Sequence, residues 1–163
     1  MRYNKIRKMD IADGPGVRVS IFEQGCAFNC KNCFNPETHD FTGGKEFTQN
    51  TIDTVLKLCN NDNIEGLSIL GGEPMHPKNI DGTKELAKAF KEKYPEKNVW
   101  VWSGYTFDKD LKDKEVLKYV DVLVDGQYVE ELHNPMLNWK GSSNQRVIDV
   151  QKSLKENKII LAD

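Results

Sequence analysis

Gly66-Leu-Ser-Ile-Leu-Gly-Gly-Glu-Pro74 is a short apolar run that stops at a pair of glycines. A run this short, bounded by turn residues, reads as a buried strand feeding a tight turn. Its flanks decide the rest. Upstream, Thr48 stands as a helix N-cap, and Ile52, Val55, Leu56 and Cys59 follow at i, i+3, i+4 and i+7 as one apolar stripe. Downstream, the segment from about Lys78 to Tyr94 reads as a helix with Leu86, Ala87, Phe90 and Tyr94 along one face, closed by Pro95. Farther out, Val17-Arg-Val-Ser-Ile-Phe22 alternates apolar and polar residues and is β-branched, a strand pattern. Asn98-Val-Trp-Val-Trp102 is a further strand ending at Ser103-Gly104. A Lys- and Asp-rich helix is expected from about Asp108 to Lys118, before a last strand, Val120-Asp-Val-Leu-Val124, which ends at Asp125-Gly126.

Strand and helix thus alternate, which implies an α/β fold with parallel strands joined by right-handed crossovers. A closed eight-unit barrel needs about 250 residues, and this chain has 163. The expectation is an open, partial (β/α) barrel of about 4–6 parallel strands in a single domain spanning residues 1–163. Its core is placed at about 10–126, followed by a loop-rich tail at about 127–163 whose last ten residues read as helix or edge strand.

Composition narrows the function. The chain carries 23 Lys plus Arg against 25 Asp plus Glu, net −2, so no basic footprint for nucleic acid is present. Hydrophobic residues at 38% and aromatics at 9% suffice for a packed core. No apolar run approaches the roughly 20 residues of a membrane span. The basic residues of Met1–Asp10 have no apolar stretch behind them, so no secretory signal is read and a cytoplasmic location is expected.

In parallel α/β sheets ligands bind at the carboxyl ends of the strands. Every unusual loop of this chain falls there: the cysteine-bearing loop after the first strand, Gly71–Pro74 after the second, Ser103–Thr106 after the third, and Asp125–Gly126 after the fourth. The cysteines divide as Cys26, Cys30 and Cys33 in one loop and Cys59 alone on the apolar helix face, where it reads as a core thiol. In a cytosolic chain, clustered cysteines favour metal or redox chemistry over disulfides. Zinc ribbons use two cysteine pairs, and there is no second pair here. Three thiolates leave one iron open on a four-iron cube. A zinc site completed by His39 or His76, serving a protein-binding module, is the alternative.

Cys26-Ala-Phe-Asn-Cys30-Lys-Asn-Cys33 resembles the Cys-x3-Cys-x2-Cys signature of the radical S-adenosylmethionine enzymes. Many of those place an aromatic residue just before the third cysteine, whereas Asn32 stands there in this chain and Phe34 follows. Gly71-Gly72-Glu73-Pro74 is similar to the family's Gly-Gly-Glu-Pro motif. Asp13–Arg18, Trp102–Thr106, Val124–Val129 and Trp139–Arg146 narrow the resemblance to the glycyl-radical activating group that serves anaerobic ribonucleoside-triphosphate reductases, over about residues 10–150.

The resemblance implies a radical-SAM-type partial barrel with one [4Fe–4S] cluster on Cys26, Cys30 and Cys33. S-adenosyl-L-methionine would chelate the open iron, with its methionine end against Gly71, Gly72, Glu73 and Pro74 and its adenine end near Asn32, Cys33 and Phe34. It also implies an activity: reductive cleavage of S-adenosylmethionine to methionine and a 5′-deoxyadenosyl radical. That radical takes a hydrogen atom from a glycine in a C-terminal loop of the reductase large subunit. A low-potential donor such as flavodoxin or ferredoxin would supply the electron. Within the same class the alternative partner is another glycyl-radical enzyme such as pyruvate formate-lyase. Asn144 and Arg146 are open to contact with cofactor or partner, and the segment around them to covering the barrel opening.

Overall fold

The computed structural model describes residues 1–28 and 30–162. Its centre is a seven-stranded sheet assembled from β1 (Arg2–Asp10), β2 (Val17–Gln24), β3 (Lys45–Glu46), β4 (Ile64–Gly71), β5 (Asn98–Trp102), β6 (Val122–Asp125) and β7 (Arg146–Asp149). Their order across the sheet is β3-β1-β2-β4-β5-β6-β7. The central four, β2-β4-β5-β6, are parallel neighbours, and β1 and β7 flank them antiparallel. The sheet is therefore mixed and open, and its four parallel strands fall within the expected number. Each new parallel strand is added on the same side of the previous one. Right-handed crossovers in a constant direction place every connection on one face.

That face is the main core. The connecting helices are α1 (Gln49–Leu58) and α2 (Ile80–Lys93), and a C-terminal helix, α3 (Val150–Glu156), follows β7. Ile52, Val55 and Cys59 from α1 and its end, with Leu86, Ala87 and Phe90 from α2, pack onto Val19, Ile21, Leu67, Ile69, Val99, Val101 and Leu123 of the strands. The helix limits follow local chemistry. Thr51 Oγ1 accepts the Thr48 N–H at 3.0 Å at the start of α1, a capping contact, and Pro95 lies just beyond α2.

The opposite sheet face is smaller and more polar. Trp100, Val124 and Val147 form a cluster there, with Trp102 and Trp139 packed against it. Arg18 lies on the same face with 0% exposure. Its guanidinium donates to Ser68 Oγ (2.7 Å), Pro15 O (3.1 Å) and Leu67 O (3.1 Å), and stacks 5.7 Å from the Trp100 ring centroid. Ser68 in turn donates to Asp13 O at 2.6 Å. The Asp13–Gly16 turn is thereby fastened beneath the sheet. Gly14 has φ +109, and a Cβ there would meet the Arg18 side chain at 2.9 Å.

Three parts depart from the sequence reading. The expected helix at 108–118 is instead a five-residue π-turn, Phe107–Leu111, and a five-residue 3-10 turn, Glu115–Tyr119. Their buried residues, Phe107, Leu111, Val116 and Leu117, are not spaced for one α-helical stripe, so the backbone breaks to bury all four. β1 lies outside the 10–126 core and its charged sequence carries no apolar alternation; pairing with β2 makes it a strand. The core runs past residue 126, because β7 and α3 within the loop-rich 127–163 segment return Val147, Ile148 and Val150 to the buried interior.

Candidate active site

A cavity of about 520 Å³ opens at the carboxyl ends of the parallel strands, on the face opposite the helices. The loops after β2, β4, β5 and β6 all contribute to its wall. Cys26, Cys30 and Cys33 line it together, with Phe34 and Asn35 from the same loop, and Gly71, Gly72 and Glu73 face it from the loop after β4. Phe22, Leu70 and Trp102 form its apolar floor, and Tyr128, His133 and Trp139 reach it from the segment after β6.

Backbone hydrogen bonds set the cysteine loop. Gly25 N donates to Thr38 O (2.7 Å) and Cys26 N to His39 O (3.1 Å), so the two ends of the loop are pinned together. Within it, Cys33 N donates to Cys30 O at 3.2 Å. Burial pushes the Cys33 thiol up, opposed by the Asn35 backbone N–H. Asn32 takes φ +55, a left-handed conformation that asparagine tolerates better than most residues. Its side chain faces Glu130 and, after Tyr128, helps hold that carboxyl below the ordinary value. Phe34 is 64% exposed and stands 5.2 Å from the Tyr128 ring centroid.

The loop after β4 is sewn to the cysteine loop. Gly72 N donates to Glu23 O (2.9 Å) and Glu73 N to Gly25 O (2.8 Å). A Cβ on Gly72 would lie 2.6 Å from Gly25 O and 2.8 Å from Thr38 O, so only glycine permits this approach. The amide of Asn79, 1% exposed, sits beneath and donates to Gln24 O, Gly25 O and Glu73 O.

Glu73 is 2% exposed and faces the next loop. Its carboxylate accepts Ser103 Oγ (2.6 Å), Gly104 N (2.7 Å) and Met75 N (2.9 Å). Burial raises its pKa to about 7 against the pull of these three donors. Pro74 is buried below the cavity rather than on its wall, and its carbonyl accepts from Thr83 Oγ1 at 2.8 Å.

The cavity thus gathers the three cysteines, Phe34 and the Gly71–Glu73 loop, while Asn32 and Pro74 stand just outside its lining. Several lining residues are not in the set read from the sequence. Trp102 reads as packing in a strand pattern, and Tyr128, His133 and Gln145 belong to a segment without periodicity. Gln145 closes its own turn: Oε1 accepts Gly141 N (2.9 Å) and Ser142 N (3.1 Å), and Nε2 donates to Gly126 O (2.9 Å). Its neighbours are structural. Asn144 donates to Gln127 O at 2.8 Å, and Arg146 pairs with Asp125 (2.6 Å) and Asp108 (2.8 Å).

Three thiols on one wall of a single cavity suit a cluster whose irons each take one cysteine. A lone tetrahedral ion needs its ligands to converge on one point. Among the described residues no three His, Cys, Asp or Glu side chains, Cys26, Cys30 and Cys33 included, stand close enough together to hold a single metal ion. His76 Nδ1 is engaged by Lys78 N at 3.0 Å and its ring packs 4.6 Å from Phe41.

Sequence comparison places the chain in the class of single-cluster iron–sulfur proteins. Residues 12–148 match the family described as a 4Fe-4S single cluster domain. The chain is 40% identical to the anaerobic ribonucleoside-triphosphate reductase-activating protein of Enterobacteria phage T4, over 90% of this chain and 93% of that one. It is 38% identical to the protein of the same name from Vibrio cholerae (89% and 96% covered) and 37% identical to that from Escherichia coli K12 (90% and 97%). The chain belongs to the family of anaerobic ribonucleoside-triphosphate reductase-activating proteins.

Proposed function

We propose that this chain is a radical S-adenosylmethionine activase that installs a glycyl radical on an anaerobic ribonucleoside-triphosphate reductase. One observation carries the reading. Cys26, Cys30, Cys33 and the Gly71–Glu73 loop line one cavity at the carboxyl ends of four parallel strands. The names of the relatives identify the partner. On this reading the open sheet is a partial barrel of the radical S-adenosylmethionine type, formed by one domain across residues 1–163.

Cys26, Cys30 and Cys33 would hold a [4Fe–4S] cluster, leaving the cofactor's methionine end to Gly71, Gly72, Glu73 and Pro74 and its adenine end to Asn32, Cys33 and Phe34. Held there, the cluster would supply one-electron chemistry for reductive cleavage of the cofactor ahead of hydrogen abstraction from the reductase glycine. The protein's share is binding, orientation and exclusion of water. Gly72 brings the backbone close, Glu73 fixes the loop against Ser103–Gly104, and Phe22, Leu70 and Trp102 give a dry floor. The electron donor is a flavodoxin or ferredoxin, and the location is the cytoplasm. No helix among the described residues is long and apolar enough to cross a membrane.

The test mixes the reduced, anaerobically reconstituted protein and S-adenosylmethionine with the reductase, or with pyruvate formate-lyase, and follows the glycyl radical by electron paramagnetic resonance. The radical is expected on the reductase alone. Stoichiometric zinc without sulfide in protein purified without oxygen would overturn the reading.

A further inference from the structure

Glu23 is one of the largest fully buried side chains, at 0% exposure on the helix-facing side of β2, three residues before Cys26. A glutamate there is an anomaly in an otherwise apolar row of Val19 and Ile21. Its Oε1 has no partner among the described residues, and its Oε2 lies 2.6 Å from Thr83 Oγ1. That hydroxyl also lies 2.8 Å from Pro74 O.

Counting protons decides the chemistry. A threonine hydroxyl has one hydrogen to give. Were Glu23 a carboxylate, Thr83 would face two acceptors and satisfy one, leaving a buried oxygen unpaired at a real free-energy cost. One added proton satisfies every atom of this hydrogen-bond chain: Glu23 Oε2–H donates to Thr83 Oγ1 and Thr83 donates to Pro74 O, while Oε1 stays unpartnered among the described residues but no longer carries charge. The neighbouring charge fits the same assignment. Glu73, with three donors on its two oxygens, is the anionic carboxyl of the pair. Two buried carboxyls in electrostatic contact separate into one neutral and one charged. The groups that act on Glu23 are Glu73 and the amino terminus.

We propose that Glu23 is held as a neutral carboxylic acid and is a positioning residue for the Gly71–Pro74 loop, acting through Thr83 on the Pro74 carbonyl. Resting on the proposed function, this makes the pair a determinant of S-adenosylmethionine affinity. Thr83 lies on α2, so the relay ties β2, the rim loop and the helix behind it at one point. Asn79, one turn earlier on the same segment, ties the Glu73 carbonyl to Gly25 O and Gln24 O from below. The loop is therefore supported from both sides of its turn.

The experiment uses the full-length holoprotein, purified without oxygen, as wild type, Glu23→Gln and Thr83→Val. Infrared difference spectra at pH 8 between wild type and Glu23→Gln should show a protonated-carboxyl band that shifts in deuterium oxide. S-adenosylmethionine binding by equilibrium dialysis should weaken roughly tenfold in Thr83→Val, the loss of one buried hydrogen bond. Glu23→Gln, whose amide still donates to Thr83, should stay within about threefold of wild type. In turnover the Thr83→Val effect should appear in KM with kcat little changed. Absence of the band, or wild-type affinity in Thr83→Val, overturns the proposal. Failure of the wild type itself to bind S-adenosylmethionine overturns the proposed function and the affinity claim with it, while the band still reports the proton on Glu23.

Discussion

The Glu73 carboxylate accepts the Ser103 hydroxyl at 2.6 Å, and this buried contact joins the loop after β4 to the loop after β5. Two neighbouring strand ends are thereby locked at a shared height along the rim. Gly104 N, one residue on, donates to the other oxygen of the same carboxylate at 2.7 Å. The glutamate of the Gly-Gly-Glu-Pro loop is thus a brace between rim loops as well as, with Gly71 and Gly72, part of the cavity wall.

Removing one partner should expose this brace in stability. Ser103→Ala takes away a donor to a buried charged group, and a loss of about 1.5–3 kcal/mol in denaturant unfolding is expected. Glu73→Gln should cost at least as much, because its amide –NH2 must face Gly104 N–H or the Ser103 and Met75 donors. Equal stability of Ser103→Ala and wild type would refute the bracing role.

The four cysteines should separate by reactivity. Cys59 is 0% exposed, and burial pushes its thiol up to about 12 against the pull of Lys97 and Arg18. Thiolate is the reactive form, so Cys59 should resist alkylation at pH 8 in folded, cluster-free protein. Cys26, Cys30 and Cys33 line an open cavity and should be labelled. With cluster present all three should be protected, and Cys30→Ala should lose iron and sulfide together. Mass spectrometry of tryptic peptides reads each site, and early labelling of Cys59 would contradict its place in the core.

The four parallel strands, α1 and α2 were legible because burial on one face leaves a period in the sequence. Ile52, Val55, Leu56 and Cys59 keep helical spacing, and Val19 and Ile21 keep strand spacing. The rim followed from topology, since parallel strands point their carboxyl ends one way. What escaped had no period to read. β1 is a strand through its pairing with β2, and its own residues are largely charged. Tyr128, His133 and Gln145 reach the cavity through turns whose geometry comes from contacts distant in sequence. Glu23 lies one residue past the alternating run read as a strand, in register with Val19 and Ile21, and its burial against Thr83 shows only in the packing.

Arg18 lies on the sheet face opposite Glu23, the face that carries the cavity, and supports the end of it away from the rim. Its guanidinium has three short hydrogen bonds and no carboxylate within ion-pair distance among the described residues. A lysine carries the charge without the planar fork. Arg18→Lys should therefore leave Leu67 O or Pro15 O unpaired and cost about 2–3 kcal/mol. It should also loosen the Asp13–Gly16 turn, read as faster amide hydrogen exchange at Gly14 and Gly16. Unchanged protection there would show that the turn stands without the arginine.

Stability should fall as pH rises from about 4 through 8, opposite to the usual behaviour of salt-bridged carboxylates, because burial raises Asp13, Glu73 and, most of all, Glu23. Asp13 is raised to about 7 by burial and by its hydrogen bond and charge contact with Asp10. Glu73 is raised to about 7 by burial. A carboxyl whose folded pKa lies above its unfolded one binds more protons in the native state. Its stabilising contribution is complete below the unfolded pKa and is lost as pH climbs through the folded one. His76 works the other way, because burial and Lys78 hold it below 6.5. It sits near the surface and contributes little. Asp10, Asp108 and Glu130, all lowered, have their contributions in full once the pH is above about 5.5 and so do not set the slope beyond it. Thermal melts of full-length protein should give a higher Tm at pH 5.5 than at pH 8. Asp13→Asn should flatten the slope and, at pH 8, raise stability by about 1–2 kcal/mol, less than the full linkage because Asp13 is partly solvated. A Tm that climbs steadily from pH 5.5 to pH 8 would mean that both carboxyls ionise in the fold as they do in the unfolded chain.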